Sequence, residues 1–251
     1  IDLSVGTVMT LSAVMTGVFI TNLGLPIPIG VLGGLMTGAL AGLMNGTVIA
    51  KMRIPPFVAT LGMLYIAKGL ALVISELKPI YFSDTPMFNQ LAMGDILGIP
   101  YAVLIFFVAA LVAHLILTKT VLGRYTFALG SNEEATRLSG VNVDKWKMAV
   151  YTLAGGFSGL AGVVIASRLN SAQPALGAGY ELEAIAAVVI GGTSLSGGEG
   201  TIMGTVIGAF VISVLTNGLR ILSIPQEWQI VVTGAIVILA VYADILRRQR
   251  N

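Results

Sequence analysis

Long apolar runs separated by short polar stretches divide the chain. They fall at about 3–20, 29–50, 57–74, 100–118, 148–167, 201–217 and 226–243. Each is close to the ~20 residues that a helix needs to cross the hydrocarbon of a bilayer. A segment in lipid must satisfy its own backbone groups, so only helices or a closed barrel can span. Barrel strands alternate apolar and polar positions. The run 101–117, YAVLIFFVAALVAHLIL, shows no alternation. The pattern predicts an all-α, polytopic transmembrane helical bundle of about seven full spans. One further apolar run, 182–190, is too short to cross alone, because nine helical residues rise only ~14 Å.

Charge sets the orientation, since Lys and Arg concentrate on the cytoplasmic side. Lys51 and Arg53 lie between the second and third runs. Lys119, Arg124, Arg137, Lys145 and Lys147 lie between the fourth and fifth, and Arg247, Arg248 and Arg250 end the chain. Placing all of these inside leaves only Lys68, Lys78, Arg168 and Arg220 on the other side. The fifth run then leads outward, and the last two alone would leave the Arg-rich end outside. Parity requires 182–190 to cross at least partly. The region 181–217 is therefore expected to be a short helix, a break and a longer helix.

The break is the stretch Gly191-Gly192-Thr193-Ser194-Leu195-Ser196-Gly197-Gly198-Glu199-Gly200. In another setting it would suggest a phosphate-cradling loop, but it has no lysine, and Gly-x-x-x-x-Gly-Lys-Ser/Thr is absent. Charge parity places it at membrane depth beside a translocation path, with Thr193, Ser194 and Ser196 satisfying the freed backbone groups.

Composition agrees with lipid as the main solvent. Of 251 residues 56% are hydrophobic and 10% charged, against ~25% charged in soluble domains. The net charge of +2 gives no reason to expect nucleic acid. There is no cysteine and one histidine, His114, so thiolate or multi-histidine metal sites are excluded. His114 reads as a packed interfacial residue rather than a proton relay, and Trp146 and Trp228 as interfacial anchors. No acid, base and nucleophile cluster to suggest catalysis. The start Ile1-Asp2-Leu3-Ser4 has no basic n-region or cleavage site and is not a signal peptide. Native sequence is expected before it.

Gly30, Gly34, Gly38, Gly42 and Gly46 recur every four residues and bare one helix face for close packing. Gly155/Gly159 and Gly204/Gly208 repeat the motif. The outer loop 75–99 reads either as a docking surface for a soluble partner or as an amphipathic loop at the interface. The cytoplasmic loop 119–147 carries a short helical signature. Ser131-Asn132-Glu133-Glu134 reads as a capping box with Ser131 as the cap. Glu133 and Arg137 stand at i,i+4, Ala135 and Leu138 share a face, and Gly140 ends the helix. Two turns are too few to be stable alone in water, so this helix needs a partner surface.

Here the chain resembles a known family. Gly130-Ser131-Asn132-Glu133-Glu134-Ala135-Thr136-Arg137-Leu138-Ser139-Gly140-Val141 resembles the cytoplasmic loop of the ribose-type ABC sugar-transporter permeases. So do Ser171-Ala172-Gln173-Pro174, Gly179-Tyr180-Glu181-Leu182 and Ala184-Ile185-Ala186-Ala187-Val188-Val189-Ile190-Gly191-Gly192-Thr193-Ser194-Leu195. Gly197-Gly198-Glu199-Gly200 and Gly204-Thr205 continue the match, and Thr60-Leu61-Gly62 fits a further signature. Ile1-Asp2-Leu3-Ser4-Val5-Gly6 looks like the family's early motif without its two leading glycines; Val141 departs from a common isoleucine. The resemblance covers essentially the whole chain as a single permease domain, 1–251. It implies the membrane subunit of a bacterial inner-membrane importer for a monosaccharide or polyol. It implies a second permease copy, a periplasmic sugar-binding protein and a cytoplasmic ATPase subunit that carries ATP and Mg, with no cofactor in this chain. Ser131, Asn132, Glu133, Glu134, Ala135, Arg137, Leu138 and Gly140 would form the element seated in the ATPase. About two further N-terminal spans belong to the family pattern.

Candidates for a translocation path are the polar groups in or beside spans: Asp2, Asn45, Thr60, Glu181, Thr193, Ser194 and Asn217. Each has a structural reading as well. Asp2 fits a helix cap. Glu181 and Glu183 suit the positive end of a short helix. Asn45, Thr60 and Asn217 fit hydrogen bonds between helices. Asp244 with Arg247 and Arg248 reads as a solvated membrane edge. A secondary transporter with broken helices is the alternative; it would need ion-coupling carboxylates within spans, and these spans have few. A purely structural scaffold leaves the capped cytoplasmic helix unexplained.

Overall fold

The computed structural model describes residues 1–249 and, in the last helix, omits the side chains at 237, 240 and 243–249. The side chains of Asp244, Arg247 and Arg248, and the whole of Arg250, therefore lie outside what is described. In chain order the elements are α1 (Val5–Gly17), continued by a π-helical turn Val18–Asn22, α2 (Ile27–Lys51), α3 (Pro56–Ile74), β1 (Ile80–Tyr81), α4 (Pro86–Met93), β2 (Asp95–Ile96) and β3 (Ile99–Pro100). They continue with α5 (Tyr101–Lys119), α6 (Val121–Ser131), α7 (Glu133–Leu138), α8 (Val143–Leu169), β4 (Ser171–Ala172), α9 (Tyr180–Ile190), α10 (Ile202–Ile221) and α11 (Gln226–Gln249). Six helices among the described residues are long and apolar enough to cross a membrane: Val5–Asn22, α2, α3, α5, α8 and α10. The seventh apolar run forms most of α11. The helical bundle expected from the apolar runs is what the chain forms.

The chain divides into two compact units. The first comprises Ile1–Ala109 and Asn142–Ala178. Its centre is α1, which packs against α2, α3 and α8 and is the most enclosed of the six spans. The glycine row of α2 meets the small residues of α8 in antiparallel sense. A Cβ on Gly46 would lie 2.7 Å from Met148 Cα, and one on Gly155 would lie 2.9 Å from Gly42 Cα. The stripe read from the sequence is thus a backbone-to-backbone seam, the mode by which helices associate in lipid without a hydrophobic driving force. Proline sets the starts of α2 and α3, at Pro26 and at Pro55-Pro56, where its missing N–H costs no helical bond.

The loop 75–99 folds over the outer end of this unit. Ile80 and Tyr81 pair with Ala172 and Ser171. Ser167 ties α4 to α8: its hydroxyl donates to the Phe88 carbonyl at 2.7 Å and accepts from the Ala92 N–H at 3.0 Å. Phe82 and Phe88, both fully buried, stack with ring centroids 4.2 Å apart.

The second unit comprises Ala110–Val141 and Gly179–Asn251. Here α9 and α10 form a tight antiparallel hairpin. Gly191 lies on the backbone of Gly204, and Gly208 on the backbone of Ala187, with no room for a Cβ at either. The Gly204/Gly208 pair read from the sequence is the reason these helices come so close.

Candidate functional site

The cytoplasmic stretch contains two helices. Sequence reading found α7 but missed α6, whose polar and apolar residues gave no clean period. The cap of α7 is corrected by one residue. Ser131 closes α6, and Asn132 is the N-cap, its Oδ1 accepting from the Ala135 N–H at 2.9 Å. Ser and Asn are about equally good caps; only Asn132 has the extended backbone, φ −157° and ψ 101°, that turns the chain between the helices. The other features of α7 hold. Arg137 Nη2 meets Glu133 Oε1 at 3.1 Å, and Gly140 follows the helix at φ +82°. Glu134, Ala135 and Leu138 are exposed, Leu138 at 80%. Thr136 is buried and anchors the inner face.

The glycine turn 191–200 packs against this region. Gly197 and Gly198 lie on the backbone of Gly130 and Ser131: a Cβ on Gly198 would be 2.9 Å from Ser131 Cα, and one on Gly197 equally close to Gly130 Cα. This corrects the expectation that the turn lies at membrane depth. By the same charge pattern that orients the chain, Gly130 and Ser131 belong to the cytoplasmic loop, so the turn reaches the inner surface. Its backbone closes on itself rather than on hydroxyls. The Ser194 N–H donates to the Glu199 carbonyl and the Gly197 N–H to the Ser194 carbonyl, both at 3.1 Å. The Ser194 hydroxyl is buried without a partner, contrary to the role expected for it. Thr193 packs on Gly200.

The irregular backbone at membrane depth lies earlier, at 173–178. Ala172 sits against Gly17 near the outer end of α1. Five residues later, Gly177 rests on the Gly6 carbonyl and the Thr10 hydroxyl, with no space for a side chain. Between these contacts the chain has run back past seven to eleven residues of α1, about 10–16 Å. In sequence the stretch is followed by α9, whose 11 residues measure ~16 Å by themselves. The stretch 173–178 borders a concavity lined by Thr7, Thr10, Lys68, Pro174, Ala175, Gly177 and Ala178.

The remaining candidates are not among the residues that line this concavity. Asn45 Nδ2 donates to Ser4 Oγ at 3.0 Å, and Ser4 Oγ donates to Asp2 Oδ1 at 2.6 Å. This buried relay fastens the start of α1 to α2. Thr60 bonds back to Pro56 and Phe57 in its own helix. Glu181, buried, accepts the Gly179 N–H at 3.1 Å with both carboxylate oxygens. Asn217 is exposed on α10. Sequence reasoning missed Thr7, Thr10 and Lys68. Lys68 was the available signal: a charge inside an apolar run of spanning length is a functional candidate by default, yet it entered only the count of outer charges. Among the described residues no group of His, Asp and Glu is arranged to hold a metal ion.

Residues 1–241 match the family described as the branched-chain amino acid transport system permease component. The chain is 43% identical over 247 residues to the ribose import permease protein RbsC of Haemophilus influenzae, covering 97% of this chain and 76% of that protein. It is 42% identical to RbsC of Escherichia coli K12, covering 97% and 77%. To the fructose import permease protein FrcC of Rhizobium meliloti it is 38% identical, covering 97% and 70%. No solved structure matches. With six helices of spanning length and a match across nearly its whole length, the chain belongs to this family, the multi-pass membrane permeases of ABC importers.

Proposed function

We propose that this chain is the permease subunit of an ATP-driven importer that moves a monosaccharide or polyol across the bacterial cytoplasmic membrane by alternating access. Two copies form the translocation path. A soluble binding protein delivers the sugar from outside. A separate ATPase, which binds ATP and Mg, docks on α7 from the cytoplasm.

The observation that carries this reading is the exposed, capped α7 joined to the backbone contact of Gly130 and Ser131 with Gly197 and Gly198. A partner pushing on α7 moves the turn between α9 and α10 with no flexible side chain in between. The similarity to ribose and fructose import permeases supports sugar as the cargo class. Ion coupling is disfavoured by how the acids are used: Asp2 is held by Ser4, and Glu181 by the Gly179 N–H.

The test is uptake of labelled ribose, fructose, allose and arabinose by membranes carrying the chain with its ATPase and binding protein. Uptake of one of them that needs ATP and survives collapse of the proton gradient is the expected result. Uptake driven by an ion gradient alone would replace this reading with a secondary transporter.

A further inference from the structure

We propose that the outer hairpin formed by β2 and β3, Asp95–Pro100, is a membrane anchor. Its apolar tip, Ile96, Leu97 and Ile99, sits in the headgroup layer of the outer leaflet and ties the loop 75–99 to lipid. Two occupants fit that loop from its sequence, a soluble partner or the membrane interface; for the hairpin the geometry favours the interface. The anchor needs only that α5 spans the membrane, and is independent of what the permease carries.

The hairpin is fastened to the start of that span. Ile96 pairs with Ile99 and Asp95 with Pro100. Leu97 and Gly98 make the two-residue turn, with φ +54° and +80°, and the Gly98 N–H donates to Asp95 Oδ2 at 3.2 Å. At the base, the Tyr101 N–H donates to the Gly94 carbonyl at 2.7 Å. The Tyr101 ring lies on Gly94, where a Cβ would come within 2.8 Å of it. Tyr101 is the first residue of α5.

A two-residue turn with positive φ at both positions favours Asn-Gly or Asp-Gly. Here the first position is leucine, in a conformation that L side chains rarely adopt, and it is 97% exposed. Ile96, Ile99 and Tyr101 are exposed beside it. From Ile99 to Ala113, Tyr101 is the only side chain with a polar atom. The apolar surface of the hairpin therefore runs on into α5, which has a mean hydropathy of 2.5 and no buried residue. Lipid is the solvent of such a span, and the same solvent covers the continuous surface of the hairpin. A partner that reads charge is better served by the start of the loop, where Glu76, Lys78 and Asp84 are all exposed. The hairpin has one charge, Asp95, and its carboxylate is turned to Gly98. Depth is limited by the backbone. The free edges of so short a hairpin carry N–H and carbonyl groups that hydrocarbon cannot satisfy. The tip thus stops at the headgroup–acyl boundary, where interfacial elements bury apolar faces by about 5–10 Å, and Tyr101 takes a place in the aromatic belt.

The chain has no cysteine, so a single nitroxide label reports its own position. The complete transporter in liposomes, labelled through Leu97→Cys, Ile99→Cys or Asp84→Cys, is probed with oxygen, which concentrates in lipid, and with a neutral nickel chelate, which stays in water. Oxygen should reach the labels at 97 and 99 at least threefold more readily than the chelate does, and the label at 84 should show the reverse preference. Leu97→Asp should raise chelate access to the label at 99 at least threefold while insertion stays normal. Chelate access at 97 equal to that at 84 would put the hairpin in water. Labels at 97 and 99 shielded from both probes would mean that a protein, a second copy or a soluble partner, covers the tip. Either result overturns the anchor, as does a Leu97→Asp variant whose label at 99 stays as deep as before.

Discussion

Gly130 and Gly198 meet backbone to backbone, so the end of α6 and the turn between α9 and α10 are in contact with no side chain between them. The contact needs glycine for two separable reasons. Gly198 has φ +78°, which costs an L-residue ~1–2 kcal/mol. Gly130 has no positive φ but no room for a Cβ.

Gly130→Ala should therefore part the two segments without straining its own backbone. We expect the ATPase to remain bound while sugar moved per ATP hydrolysed falls several-fold. Gly140→Ala is the counterpart, with φ +82° and nothing within 4 Å. It should weaken α7 and ATPase binding by about 1–2 kcal/mol and leave the transport-to-hydrolysis ratio of the bound fraction unchanged. Paired assays of uptake and hydrolysis on both variants check this.

On α8, neighbouring glycines should behave oppositely. Gly155 rests on Gly42, whereas Gly156 has open space around it. Gly155→Ala forces the α2–α8 seam apart, and overpacking of this kind costs ~1–3 kcal/mol. We expect a lower yield of monodisperse protein and a clear drop in thermal midpoint for Gly155→Ala, with little change for Gly156→Ala. Equal effects of the two would show that the seam does not hold the unit together.

Asn45 separates a structural role from a path role. Its bond to Ser4 and the onward bond to Asp2 lie at a helix junction, and Asn45 is 2% exposed. Hydrogen bonds between helices in membranes are worth ~0.6 kcal/mol on average and up to ~1.7. Asn45→Ala should lower stability by about that much and leave the order of preferred sugars unchanged. Altered preference with unchanged stability would put Asn45 in the path.

Much of this was legible in the residues. Glycine every fourth position on α2 announces a bare face, and Lys and Arg placement orients every span. The capped helix between two spans carries its own start and stop. What stayed hidden depends on relations across the chain. Whether Ser131 or Asn132 caps α7 turns on which has extended backbone, and both residues suit the role. The location of the irregular backbone could not be read, because 173–178 has the turn-rich look of a surface loop. Only the contact of Gly177 with Gly6 and Thr10 shows that it descends along α1. The same ambiguity placed 191–200 too deep: parity counts crossings and does not say which part of a crossing is irregular.

The most direct measurement is recovery of the ATPase with the permease after mild solubilisation, comparing wild type with Leu138→Asp. Leu138 is 80% exposed, so the substitution leaves folding and insertion intact while placing a charge at the centre of the proposed docking face. The account predicts normal insertion and at least tenfold less ATPase recovered, with the exposed Glu133–Arg137 pair contributing only ~0.2–1 kcal/mol when removed by double substitution. Full recovery of the ATPase with Leu138→Asp would contradict the assignment of α7 as the surface through which ATP drives this permease.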